Sequence, residues 1–170
     1  MNGVIRGMFV VAALGATLGQ VSAAPLNFNV LCEKKRFDVE RSETTSTKVS
    51  KEKWGYGVTI ENKAFKALEN LEVEYRQFRK DDARRGGASL KAVPGSTKIA
   101  AIANGAKVKF DTEPVEIEKE ELKANWSAAR GSKEKVKDEL SGIWIRIMKD
   151  GEKVFEYQSP PDLKNKVKWE

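Results

Sequence analysis

From Leu26 onward, apolar side chains recur at every second position in one short stretch after another, and this period of two constrains the fold more than any other feature. Residues two apart lie on the same face of a strand, so each stretch buries one face and solvates the other. Leu26, Phe28, Val30 and Cys32 alternate with Asn27, Asn29 and Glu33, and Phe37 and Val39 carry the pattern past the charged Lys34-Lys35-Arg36. Trp54, Tyr56, Val58 and Ile60 form a second set, ended by Asn62-Lys63. Leu71, Val73 and Tyr75 form a third, and the break in alternation at Gln77-Phe78 predicts a bulge.

Farther on, residues 89–93 read as a short strand stopped by Pro94-Gly95, and residues 98–102 as another. Asn104-Gly105 predicts a type I′ hairpin into Val108 and Phe110. Residues 111–117, interrupted by Pro114, suit an edge or a strand that changes sheets. Ile143, Ile145 and Ile147 alternate with Trp144, Arg146 and Met148, which makes both faces apolar and predicts a central strand. Asp150-Gly151 then turns the chain into Val154, Phe155 and Tyr157, and Ser159-Pro160-Pro161 ends the sheet. One segment breaks the pattern: Leu122, Trp126 and Ala129, then Val136 and Leu140, recur at helical spacing, predicting a short helical insertion near residues 118–139 that rests Leu122 and Trp126 on a sheet face. Seven or eight strands about ten residues apart, with little helix, predict an all-β antiparallel sandwich whose core centres on Trp54, Tyr56, Tyr75, Phe110 and the isoleucine strand.

The chain has no His and one Cys, which removes Ser/His and Cys/His nucleophile pairs, imidazole metal sites, a paired-cysteine redox motif and any intramolecular disulfide. Asp81-Asp82 and the trio Glu118, Glu120 and Glu121 show no pattern of two carboxyl groups facing across a cleft, and no calcium-loop motif is present. The expectation is therefore a protein that is not an enzyme, with no catalytic residues, no cofactor and no metal. Cys32 shares the register of Leu26, Phe28 and Val30, so it is expected to lie in the core as an inert small hydrophobe.

Arg6 followed by an apolar run over residues 8–18 and then Val21-Ser22-Ala23 reads as a signal peptide over residues 1–23. The run is too short for a membrane span, which needs about twenty apolar residues. Cys32 lies too far downstream for a lipoprotein, and position 12 is Ala where a pilin-type leader would carry Glu. An exported protein follows, located in the periplasm, on the outer-membrane surface or outside the cell, with a sandwich over residues 24–161 and a basic tail over 162–170. No transmembrane span remains after cleavage.

Net charge is +6 for the whole chain, and its distribution is uneven. Residues 24–75 and 118–139 are each neutral, whereas residues 76–98 carry a local +5 through Arg76, Arg79, Lys80, Arg84, Arg85, Lys91 and Lys98 against Asp81 and Asp82. Arg76, Arg79, Lys80, Arg84 and Arg85 are thus the candidate site for an anionic partner: a sulfated or sialylated glycan, a lipid head group or a lipopolysaccharide phosphate. Nucleic acid fits poorly, since Phe78 is the stretch's lone aromatic. Trp144 and Arg146 either make a cation–π pair or a carbohydrate platform, or Trp144 covers the second face of its strand. Trp169 either packs back on the sandwich or lies free as a docking peptide.

Trp54-Gly55-Tyr56-Gly57-Val58-Thr59-Ile60-Glu61-Asn62, Leu68-Glu69-Asn70-Leu71-Glu72-Val73-Glu74-Tyr75 and Gly142-Ile143-Trp144-Ile145-Arg146 resemble strands of exported immunoglobulin-like domains. The likeness is to small secreted sandwich proteins of Verrucomicrobia-type gut bacteria, one of which is associated with a type IV pilus-like gene cluster and has a fold related to archaeal pilus subunits. The resemblance implies an immunoglobulin-like sandwich with a cell-envelope or surface role, possessing no catalytic residues. Two functions follow as expectations: an interaction module, pilus- or adhesion-associated, whose basic loop binds an anionic partner or an envelope protein; or a structural subunit or strand-exchange accessory protein of an envelope assembly. A monomer or weak oligomer is expected.

Overall fold

The computed structural model describes residues 26–82, 87–123, 125–127 and 134–169. The signal-peptide reading of residues 1–23, and Arg84 and Arg85, lie outside the described residues. The fold is all-β. Two antiparallel sheets face each other, with one turn of 3₁₀ helix, Leu163–Asn165, as the helical element among the described residues.

The strands are β1 (Phe28–Glu43), β2 (Thr47–Asn62), β3 (Leu68–Asp81), β4 (Ser89–Ile102), β5 (Lys107–Asp111), β6 (Val115–Leu122), β7 (Lys135–Lys137), β8 (Glu139–Lys149) and β9 (Glu152–Ser159). One sheet has the order β1-β2-β6-β7, with β5 also on β2; the other has the order β4-β3-β8-β9. β5 and β6 lie end to end along β2: Lys107–Asp111 pair with Glu61 to Gly57, and Val115–Leu122 with Trp54 to Thr47. Between them Thr112, Glu113 and Pro114 leave the ladder without leaving the sheet, so the proline marks a break and not a change of sheet.

The alternation fills the space between the sheets. Val58, Ile60 and Tyr56 from β2, Val73, Leu71 and Tyr75 from β3, and Ile143, Ile145 and Ile147 from β8 are buried in one cluster. Trp54 and Phe110, expected at the centre, are half-buried at its margin. β8 lies between β3 and β9, as its two apolar faces predict. The expected bulge appears as a register shift between Phe78 and Arg79 against β8. The extra residue is Ser141 of β8, whereas β3 itself keeps its alternation, with Gln77 facing the core and Phe78 the outer side, both buried.

Three expectations are corrected. Residues 118–122 are strand, not helix: Thr47 to Trp54 of β2 offers a free ladder edge that the Val115, Ile117 alternation fills, and β7 adds to β6. Trp126 does not rest on a sheet face but is half-exposed. Residues 89–93 and 98–102 are one continuous strand, since β4 is an edge and Pro94 needs no partner for a missing N–H there. A Cβ on Gly95 would overlap the ring of Tyr75, so the glycine admits that ring against the edge strand. Asn104-Gly105 is not a hairpin: β4 and β5 belong to different sheets, and only Gly105, at φ +70°, has positive φ, whereas a type I′ turn needs it at both central residues. Asp150 and Gly151, at φ +52° and +81°, do form the β8–β9 hairpin with that geometry.

Candidate functional site

The basic stretch of residues 76–98 follows β3 out of the core. Leu71, Val73 and Tyr75 point inward, so Glu72, Glu74, Arg76, Phe78 and Lys80 stand on the outer face of the four-stranded sheet. Charge along this row changes sign, from two glutamates to Arg76 and Lys80. Neither Arg76 nor Lys80 makes an ion pair among the described residues, and Lys164 of the tail is likewise unpaired.

Arg79 is different. Its guanidinium binds Asp81, and its Nη1 donates to the Glu116 carbonyl at 2.9 Å. Lys91 reaches the same Asp81 at 2.6 Å. The Arg79 bond, outweighing the opposing effect of burial, holds the Asp81 carboxyl below the ordinary range, and Lys91 adds to it. Asp81 therefore ties up two of the cations counted in the sequence and offsets one unit of their charge. Of the five candidate site residues, the structure puts Arg76 and Lys80 on one face, directs Arg79 toward β6, and leaves Arg84 and Arg85 outside the described residues.

Trp144 and Arg146 share the outer face with Arg76, across from it on β8. Trp144 is buried because the tail folds back over it. Phe78, Trp144 and Leu163, with Val167 and Trp169 against them, form a second apolar cluster outside the sandwich core. Gly142 makes room for it: an added Cβ would sit 2.7 Å from the Ser159 carbonyl oxygen and 3.3 Å from Leu163. The Trp169 ring meets Trp144 edge-on at 5.5 Å, with Arg146 at 4.2 Å and Arg76 at 5.0 Å from its centroid. Glu156 Oε1 accepts from Trp144 Nε1 at 2.8 Å and from Arg146 Nε at 2.9 Å. Burial raises the Glu156 carboxyl, but the bonds from Arg146, Lys153 and Trp144 outweigh it, so its pKa lies below the ordinary range. The Trp144–Arg146 cation–π pair exists, at 5.6 Å, and Trp144 also covers the second face of its strand. Trp169 packs back.

This tail-covered plate was legible only in pieces. Phe78 out of alternation and Trp144 opposite the isoleucines are the signals that the outer face needs a cover, and Leu163, Val167 and Trp169 are the apolar residues left to supply it.

Cys32 is half-buried against the core, and burial pushes its thiol up to about 12. Glu116 and Glu118 of β6 are exposed. Glu120 lies beside Val136 in the β6–β7 ladder. No group of three or more His, Cys, Asp or Glu that could hold a metal occurs among the described residues, and no helix there is long and apolar enough to cross a membrane.

No protein-family model and no curated protein matches the chain. Among solved structures, the chain is similar to Northeast Structural Genomics Consortium target SoR45, with 13% identity, a TM-score of 0.35, and coverage of 77% of this chain and 84% of that one. It is also similar to a crystal structure from Akkermansia muciniphila, with 10% identity, a TM-score of 0.27, and coverage of 84% of this chain and 77% of that one.

Proposed function

We propose that the protein is a non-enzymatic, exported interaction module of a bacterial cell envelope or surface, with an immunoglobulin-like fold and a basic face that binds an anionic glycan or lipid head group. The signal-like segment before Ala24 supports export. The strand order supports the immunoglobulin-like reading: β1-β2-β5 within the five-stranded sheet faces β4-β3-β8-β9, in the manner of the A-B-E and C′-C-F-G strands of that class. The observation that carries the binding role is the pair of cations left without carboxylate partners among the described residues, Arg76 and Lys80 on the outer face of β3, in a stretch whose sequence continues with Arg84 and Arg85. Uncompensated cations on a rigid sheet face attract an anion without the entropic cost of ordering a loop.

The strand-exchange alternative finds less support. The free edge of β1 is long, but Lys34, Lys35, Arg36, Asp38 and Glu40 and a bulge between Arg36 and Asp38 interrupt it, and Pro94 interrupts the edge of β4.

The test is retention of the chain lacking residues 1–23 on a sulfated-glycan matrix and on anionic vesicles, at two salt concentrations. Lys80→Gln combined with Arg84→Ser and Arg85→Ser is expected to lower the salt needed for elution, with the melting temperature unchanged. Retention equal to the parent at low salt would defeat the reading.

A further inference from the structure

The five-stranded sheet outruns its partner. β1 is exposed from Glu33 to Glu43 apart from Val39, and β2 is at least partly exposed from Thr47 to Lys53 apart from Glu52. β6 and β7 widen this projecting end to four strands. The register places Arg41 in one row with Ser50, Lys119 and Lys137, and Glu43 in the next with Lys48, Glu121 and Lys135. Alternation divides the projection into two faces.

The inner face, which the four-stranded sheet covers farther along at Tyr56 and Val58, is positive. Each of its carboxylates is held by a lysine of the same face. Glu52, 5% exposed, accepts from Lys119 Nζ at 2.6 Å; Glu121 pairs with Lys135 at 3.1 Å and Glu43 with Lys123 at 3.1 Å. Arg36, Arg41, Lys48 and Lys137 have no carboxylate partner among the described residues, so four positive charges are left over. At the foot of the projection, Asp138 and Glu139 against Lys34 offset one of them.

The outer face is negative. Lys53 reaches Asp38 at 3.7 Å and Lys51 reaches Glu116 at 4.0 Å. Glu40 and Glu118 have no cation partner among the described residues, and Glu120 adds a further carboxylate to their face. The two faces thus carry excess charge of similar size and opposite sign. No ion pair of the projection crosses from one face to the other among the described residues.

We infer that the projection binds a second copy of this chain, the outer face of one copy resting on the inner face of the next. Two inner faces, or two outer faces, would set like charges against each other, so the contact is heterologous, face to back. The inner face lacks its second layer where the four-stranded sheet stops, and a facing sheet packs about 10 Å away. Four strands about 4.8 Å apart, each contributing about seven residues, give a patch of roughly 300–400 Å² on each copy. That is below the size of a stable dimer interface, so association is weak, reversible and salt-dependent. The contact is separate from the outer face of the four-stranded sheet and stands whether or not that face binds polyanions.

The test is sedimentation velocity of the chain lacking residues 1–23, which keeps every described residue, over a concentration series at about 20 mM and about 500 mM salt. The weight-average sedimentation coefficient is expected to rise with concentration at low salt and to stay flat at high salt. Arg41→Glu with Lys48→Glu inverts the sign of the inner face, and Glu40→Lys with Glu118→Lys that of the outer one. All four positions are exposed and outside any ion pair among the described residues, so the melting temperature should hold. Each double variant alone should associate at least about tenfold more weakly than the parent. An equimolar mixture of the two should associate at least about threefold more tightly than either alone, because each inverted face then meets a complementary one. Lys80→Gln with Arg84→Ser and Arg85→Ser, on the other basic stretch, should leave association unchanged. A parent that stays monomeric at low salt, association indifferent to salt, a double variant that associates like the parent, or a mixture no tighter than its components would each overturn the inference.

Discussion

Replacement of Thr112 by Val tests how the break between β5 and β6 is held. The side chain is 2% exposed and occupies the point where the ladder to β2 is interrupted. Its hydroxyl accepts the Tyr56 N–H at 2.8 Å, taking the place of the backbone carbonyl that a continuous strand would have offered, and donates to Gln77 Oε1 at 3.0 Å. The Thr112 N–H donates back to the Tyr56 carbonyl at 2.9 Å, so the residue keeps one ladder bond and substitutes its side chain for the other. Gln77, wholly buried, passes the network on through Nε2 to the Glu113 carbonyl at 2.7 Å. Valine keeps the shape and removes both bonds of the hydroxyl. Two buried polar groups, the Tyr56 N–H and Gln77 Oε1, lose a partner, each at a cost of about 1–3 kcal/mol, which sums to about 3 kcal/mol with partial relaxation. In a domain of this size that lowers the melting temperature on the order of 10 °C. Urea unfolding of Thr112→Val and of Thr112→Ser, which keeps the hydroxyl, separates the network from the lost methyl: the serine variant is expected within about 1 kcal/mol of the parent. A valine variant as stable as the serine variant would show that the hydroxyl does not complete the ladder.

Stability should be flat with pH above the ordinary carboxylate range, near pH 4, and fall below it. Asp81, Glu52 and Glu156 all have folded-state pKa values below their unfolded ones, so the unfolded chain takes up protons first as pH drops and the stabilisation is lost on passing down toward the folded values. Urea midpoints at a series of pH values check this, and Glu156→Gln should flatten the acid limb; an unchanged limb would remove Glu156 from the account. Burial pushes the Cys32 thiol up to about 12, so it stays protonated at neutral pH and a thiol reagent should label the native protein far more slowly than the denatured one. Equal rates would place the sulfur in solvent.

Periodicity made the sandwich readable because each strand has one buried face: Val58 and Ile60, Val73 and Tyr75, and the three isoleucines all lie inward as their spacing requires. It failed where a neighbour decided the structure. Leu122 and Trp126 have helical spacing, yet the unpaired run of β2 from Thr47 draws residues 115–122 into a strand, a demand invisible within the segment itself. Asn104-Gly105 carries a hairpin dipeptide, but its flanking strands pair with β2 and β3, so the turn joins sheets. The basic stretch was readable as charge but not as a surface, since alternation along β3 sends Arg76 and Lys80 to one side and Asp81 ties up Arg79 and Lys91. Glu52 looked like one more solvated glutamate among charged neighbours. Its burial depends on Lys119, 67 residues away in the chain.

The direction of β1 and β9 has a mechanical consequence. β1 begins at Phe28, paired with Asn62, at one end of the sandwich, whereas β9 leaves at Ser159, paired with Ile143, at the other. Tension between the two ends of the domain therefore runs along the strands and not across them. The β1–β2 and β8–β9 ladders are loaded in shear, so many hydrogen bonds share the force and must yield together instead of unzipping singly. The tail over Trp144 would peel off first, at low force, paying out a short length of slack before the sheets bear any load. Stretched between its two ends, the domain thus presents a weak extensible element in series with a strong one.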